Sequence, residues 1–165
     1  MLRIGSMAAQ KLLGILTAPE GVPRTVAELS AEANLTLPGV SKEQIVVQNV
    51  APELAERATA SKYPLLYVYC SKLSNQLREK FRTFSGEAQM VVEVRVSLDR
   101  LEEMESSLQA YIDAITQVVA ASRGDWGDGV FYGGGYEVTF GAVKHGGRNF
   151  LQIAKVGFAV EISTD

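Results

Sequence analysis

The chain has 165 residues, 47% hydrophobic and 21% charged, the balance of a globular domain long enough to bury a core of its own. Sixteen basic residues against nineteen acidic ones leave a net charge of −3, which excludes the strongly basic surface of a general nucleic-acid binder. The single cysteine, Cys70, excludes an internal disulfide scaffold and fits a reducing compartment, and no apolar run reaches the ~18 residues of a membrane span.

At the N-terminus, "MLRIGSMAAQKLLGILTAPEG" has Gln10 and Lys11 where a signal peptide keeps an unbroken apolar run. It is predicted as a short helix capped by Ser6. "RTVAELSAEANL" is predicted as a second short helix, with Thr25 and Glu28 spaced as a capping box in which each side chain satisfies an amide of the other. Together they form a helical segment over residues 1–35, packed on or extending from the core. Pro38, Gly39 and Pro52 punctuate the next stretch, leaving Ile45 to Val47 as a minor strand. "KYPLLYVYC" is the first clear strand, with Pro64 near its start, where a missing amide donor does least harm.

"SKLSNQLREKFRTFSG" has two readings. Leu73, Leu77, Phe81 and Phe84 recur at spacings of four, four and three, as on a helix stripe, but an extended arm between strands fits as well. Its charges lean basic, with Lys72, Arg78, Lys80 and Arg82 against Glu79. That composition describes either a solvated segment or a contact surface.

"AQMVVEVRVSL" alternates strictly. Met90, Val92, Val94 and Val96 face one way, while Val91, Glu93, Arg95 and Ser97 face the other, so one face is buried and one largely polar. The chain then enters "DRLEEMESSLQAYIDAITQVVAAS". Leu101, Met104, Leu108, Tyr111, Ile112, Ile115, Val118 and Val119 form the stripe of a long amphipathic helix. Asp99 and Glu102 are spaced as its capping box, and Gly124 is placed to end it in a left-handed conformation.

"YEVTFGAVKH" and "RNFLQIAKVGFAVEIS" flank Gly146-Gly147, a hairpin signal that would pair Phe140 with Ile153 and Ala142 with Leu151. Apolar parity in the last strand shifts from odd positions (Leu151, Ile153) to even ones (Val156, Phe158, Val160, Ile162), which a one-residue bulge or a change of sheet environment would explain. The expected fold is therefore one α+β domain over residues 1–165. It has an antiparallel or mixed sheet of about four main strands, one long amphipathic helix packed on one face, and short N-terminal helices.

Catalytic and metal chemistry find little support in these residue types. The single histidine, His145, sits beside a hairpin turn with no nucleophile elbow in the chain. Cys70 and His145 are lone soft ligands, and Asp125 and Asp128 in "DWGDG" lack the ligand alternation of a calcium loop. "GGGYEV" lacks the Lys-Ser/Thr ending of a phosphate loop and leads into a strand where that loop leads into a helix. No enzyme activity, cofactor or metal is expected. That leaves "RGDWGDGVFYGGGYEV", whose first thirteen residues include six glycines. Its aromatics, Trp126, Phe131 and Tyr132, supply contact area at small entropic cost. They serve either as a plug folded onto the helix end or as an interface ordered by a neighbour.

"EKFRTFSGEAQMVVEVRVSLDRLEEMESSLQAYIDAI", "WGDGVFYGGGYEV" and "GGRNFLQIAKVGFAVEIS" resemble, in element order and local wording, the tail-terminator and tail-completion proteins of tailed bacteriophages and prophages. The resemblance covers roughly residues 62 to 163, and the first sixty residues match less well. It implies a virion structural protein, assembled in the host cytoplasm, that forms a homo-oligomeric ring, commonly a hexamer, at the head-proximal end of the tail. The ring stops tail-tube growth and meets the head-side connector or stopper protein, with DNA passing through the lumen without sequence-specific binding, and no membrane is involved. Candidate interface residues are Lys72, Arg78, Lys80, Arg82, Trp126, Phe131, Tyr132, Lys144, His145 and Arg148. The other readings are a different neck or head-completion ring component, and a small non-catalytic ligand-binding module with Tyr111 and the loop aromatics lining a cleft between helix and sheet.

Overall fold

The alternating run ending at Leu98 becomes the spine of the sheet. In the computed structural model, which describes residues 3–51, 62–146 and 149–165, strand β3 (Phe84–Leu98) pairs along its whole length with the last strand, β8 (Asn149–Thr164). The ladder is antiparallel and unbroken from Phe84↔Thr164 to Leu98↔Phe150, about 50 Å of continuous pairing. On its other side β3 pairs antiparallel with β2 (Leu65–Asn75), and β1 (Ile45–Val47) adds a short parallel edge to β2. The free side of β8 is shared. β6 (Glu137–Phe140) and β7 (Lys144–Gly146) cover its first half, and the hairpin of β4 (Gly124–Gly127) and β5 (Val130–Tyr132) covers its end. The architecture is α+β, with an eight-stranded mixed sheet in place of the expected four or so main strands.

Three α-helices among the described residues pack with this sheet. Helix α1 (Ile4–Leu16) buries Ile4, Ala8, Ala9, Leu12 and Leu16, a helical stripe against β1 and β2. Helix α2 (Val22–Glu32) lies on α3 (Met104–Ala121), which crosses β3 and β8. Met90, Val92, Val94, Val96 and the even-numbered residues of β8 from Ala154 to Ile162 meet Leu108, Ile115 and Val119 in one continuous core.

The helix starts differ from the expected caps. Ser6 lies inside α1, whose N-cap is Arg3 without a side-chain bond. α2 begins before the expected capping box because Gly21 and Pro23 set its first turn; Pro's fixed φ suits that position. Thr25 donates its hydroxyl back to the Gly21 carbonyl at 2.9 Å, and Glu28 pairs with Arg24. A 3-10 turn over Leu101–Glu103 precedes α3, so the Asp99–Glu102 box does not form and Leu101, rotated off the stripe, is exposed. Gly124 takes a positive φ of 126°, but as the first residue of β4.

The closing hairpin forms with a different register from the one read. Phe140 faces Ala154, whereas Lys144 faces Leu151. The irregularity therefore lies between β6 and β7, at residues 141–143, and β8 runs straight past it. The change of parity in β8 is a change of environment: Leu151 is buried on the sheet face away from the helices, and the even positions from Ala154 onward are buried beneath them. Pro52, Gly147 and Arg148 lie outside the described residues.

Candidate functional site

The second face of the sheet, read as polar, is not uniformly open. Glu93 and Arg95 are 5% and 2% exposed. Arg95 Nε donates to Glu93 Oε2 at 2.6 Å, Nη2 donates to the Val50 carbonyl, and the guanidinium lies 4.2 Å from the centre of the Tyr67 ring. Tyr69 donates its hydroxyl to Glu93 Oε1 at 3.1 Å; burial first, and the Glu93 charge second, push its phenol up to about 12. Pairing of the carboxylate with the guanidinium and bonds to neighbouring polar groups offset most of the cost of burying these charges; of the pair's polar atoms, Arg95 Nη1 alone is buried without a hydrogen-bond partner among the described residues. This end of the face is structural.

The glycine-rich stretch also turns inward. Gly127 faces Val130 across a two-residue turn in which Asp128 and Gly129 have φ of 54° and 79°, the geometry that matches the twist of a tight hairpin. A side chain at Gly129 would put a Cβ 2.0 Å from the Ser163 carbonyl oxygen, and Ser163 donates its amide to the Gly129 carbonyl at 2.9 Å. Lys11 on α1 ties the same hairpin down. Its ammonium donates to the Trp126 carbonyl at 3.1 Å and sits 2.8 Å from Asp128, whose carboxyl it holds below the usual carboxylate range. Asp125 accepts the Gly127 amide at 2.8 Å.

The three aromatics of this stretch separate. Tyr132 is fully buried, its ring 4.9 Å from Phe158 and its hydroxyl donated to the Gly135 carbonyl at 2.9 Å. Trp126 is half-buried against Tyr132 and Phe158, and its indole N–H donates to the Ser122 carbonyl at 2.8 Å at the end of α3. Only Phe131, 47% exposed, points outward, as alternation along a strand requires. Of the two readings of these aromatics, the inward one holds for Tyr132, which is buried in the core, and the half-buried Trp126 packs against that core from the same hairpin.

The basic segment is the part that points away. It is not a helix; of the two readings, the extended one between strands is the nearer. β2 continues to Asn75, residues 76–83 form a loop, and β3 returns at Phe84. The apparent stripe is broken up accordingly, with Phe84 buried, Leu73 45% exposed, Leu77 65% and Phe81 100%. Leu77 and Phe81 also carry positive φ, 49° and 65°, an uncommon conformation for bulky side chains. The loop is nevertheless well held. Asn75 Oδ1 accepts the amides of Leu77 and Ser85 at 3.3 and 3.1 Å, and Glu79 accepts the Ser163 hydroxyl at 2.7 Å. Arg78 pairs with Glu87 at 2.9 Å and Glu161 at 3.6 Å, and Arg82 pairs with Asp165 at 2.9 Å and Glu79 at 3.4 Å. Those two arginines have ion-pair partners in their own chain. Lys72 and Lys80 are exposed, with no ion-pair partner among the described residues.

The remaining candidates sit elsewhere. Lys144 and His145 are exposed on β7, with the His145 ring 6.0 Å from Phe150, at the opposite end of the β3–β8 ladder from the 76–83 loop. Arg148 is outside the described residues. Tyr111 is buried in α3 with its hydroxyl donated to the Pro38 carbonyl at 2.6 Å, a residue of the core. A cleft of about 490 Å³ does open beside Trp126, between Lys11 and Ile15 of α1 and Val118 of α3.

Fold and surface together define a class: an α+β protein with helices on one face of a mixed sheet and a braced hairpin loop presenting apolar side chains to solvent. No family model matches the chain, and no curated protein is significantly similar to it. No helix among the described residues is long and apolar enough to cross a membrane.

Proposed function

We propose that the chain is a structural subunit of a tailed-bacteriophage particle. It assembles as a ring at the head-proximal end of the tail, stops tube growth there and joins the tail to the head-side connector. The observation that carries this reading is the 76–83 loop: a wholly exposed Phe81 and a mostly exposed Leu77 on a backbone already fixed by side-chain bonds. A rigid apolar projection loses little entropy on association, the condition under which a small contact binds well. Such a projection meeting a different surface on the next copy is a heterologous contact, which closes into a ring when its rotation closes. The resemblance in element order to tail-terminator proteins supplies the biological setting.

The test is to add the purified protein to polymerising tail-tube subunits from the same particle and image the products by negative-stain electron microscopy. The reading expects ring-shaped caps at one tube end and arrested elongation. Uncapped tubes that keep growing overturn it. Rings that bind the connector without arresting growth point to another neck component.

One observation favours a second reading, a small ligand-binding module. The Trp126 cleft combines an indole with Lys11, Glu20 and Asp125 on its walls. A stable monomer whose tryptophan fluorescence responds to a small ligand would favour that reading.

A further inference from the structure

Between its closed end and the 76–83 loop, the outer face of the sheet carries an open groove of about 760 Å³. Its floor is Gln89, Val91, Gly157 and Ala159, and Tyr136, 44% exposed, forms part of its wall. Three glycines line it, Gly133, Gly135 and Gly157, and none has positive φ. A methyl group on Gly133 or Gly135 would meet no heavy atom within 4 Å, and one on Gly157 only the Met90 carbonyl oxygen at 4.0 Å. The fold thus requires glycine at none of the three, although at Gly157, inside β8, glycine weakens the strand. Bare backbone at such a place suits the close approach of another chain.

We infer that the Phe81 tip of one copy seats in this groove on the next copy, with Lys80 against Glu137 and Glu79 against Lys72. The inference rests on the ring-forming reading above and names its contact. The tip does not fill its own groove. Val91 lies seven residues along β3 from Phe84, about 23 Å, and Phe81 is wholly exposed, so its ring touches nothing in its own chain. Charge complementarity identifies the occupant. The groove is bordered by Lys72 on the β2 side and Glu137 on the β6 side, both exposed and without an ion-pair partner among the described residues. The tip offers the opposite pair in adjacent positions: Lys80, likewise unpaired, and Glu79, still 57% exposed beside Arg82. Phe81 follows Lys80, and Tyr136 precedes Glu137, so each surface sets an aromatic ring next to a charge complementary to the other. Knob and groove are different surfaces of one chain, so the contact is head-to-tail.

The experiment is sedimentation velocity over a concentration series on the full chain, with thermal unfolding of each variant as the folding control. The variants are Phe81→Ala, Gly157→Leu, Lys80→Glu, Glu137→Lys and the double swap Lys80→Glu/Glu137→Lys. Phe81→Ala and Gly157→Leu are expected to weaken association at least tenfold, as is either single swap, and the double swap to restore it. Thermal stability should change little, since Phe81 and the groove floor at Gly157 are unpacked in the isolated chain. If the wild type associates and all the variants associate equally well, the tip-in-groove contact is wrong and the ring-forming reading stands. A wild type that stays monomeric at every concentration removes both.

Discussion

Two hairpins of this chain both carry aromatic side chains and place them oppositely. The β4–β5 hairpin, rich in glycine and aromatics, folds inward: Tyr132 is buried, Trp126 bonds the end of α3, and Lys11 clamps the turn. The β2–β3 hairpin, rich in charge, folds outward and leaves Phe81 wholly in solvent. Aromatic content therefore says little about exposure. What decides it is whether the strand partner sits under a helix. β5 pairs with the end of β8, whose even positions lie in the core, whereas the 76–83 loop extends past the last pair of the β3–β8 ladder.

Substitutions can break this contrast, the largest effect coming from the inner hairpin. Tyr132→Ala leaves a cavity beside Phe158 and Trp126 and strands the Gly135 carbonyl; it should cost about 3–5 kcal/mol by denaturant unfolding. A loss near zero would mean that the hairpin is detached from the core. Gly129→Ala comes next. It combines a φ of 79° with a Cβ directed at the Ser163 carbonyl, and should cost more than ~1 kcal/mol in the same measurement.

Alkaline pH should loosen the inner hairpin while leaving the tip, which contains no tyrosine, without a titrating phenol. Burial raises the Tyr132 phenol, and it pushes Tyr111 up to about 12, as it does Tyr69 with added help from Glu93. A raised folded-state pKa means the folded protein holds its proton more tightly than the unfolded chain. The associated stability is intact below the ordinary value of 10.0 and is lost as the pH climbs toward about 12. Tyrosinate absorbance followed together with circular dichroism should show late titration coincident with unfolding; titration of all tyrosines near their ordinary value, with the fold intact, would contradict the burial. The smallest effect is expected at the outer tip. Phe81→Ala should leave stability within ~0.5 kcal/mol of wild type, because the ring touches nothing in its own chain.

The parts of the fold legible in the sequence are those governed by a single local period. The alternation of Met90 through Val96 and the helical stripe from Met104 to Val119 fix the two faces that make the core, and both are buried as read. Chain starts and turns were less legible, because they depend on competition between neighbours. Pro23 outcompetes the Thr25–Glu28 box, and a 3-10 turn displaces the Asp99–Glu102 box. Asp128-Gly129 between Gly127 and Val130 is a strong hairpin signal, masked by the surrounding glycines. Alternation could place Glu93 and Arg95 on the second face but not cover them: Tyr67 and Val50, which close over Arg95, come from distant sequence. The exposed tip was hidden by a misleading period, since the spacing of Leu73, Leu77, Phe81 and Phe84 mimics a helix while its members lie on two strands and a loop.

The central claim is that assembly uses the outward hairpin and leaves the inward one as it is. Hydrogen exchange followed by mass spectrometry, on the isolated chain and on the assembled ring, tests it most directly. The account predicts that residues 124–132 are protected equally in both, while residues 76–83 and the groove around 133–137 and 157–159 gain protection on assembly. Protection gained at 124–132, with 76–83 unchanged, would contradict it.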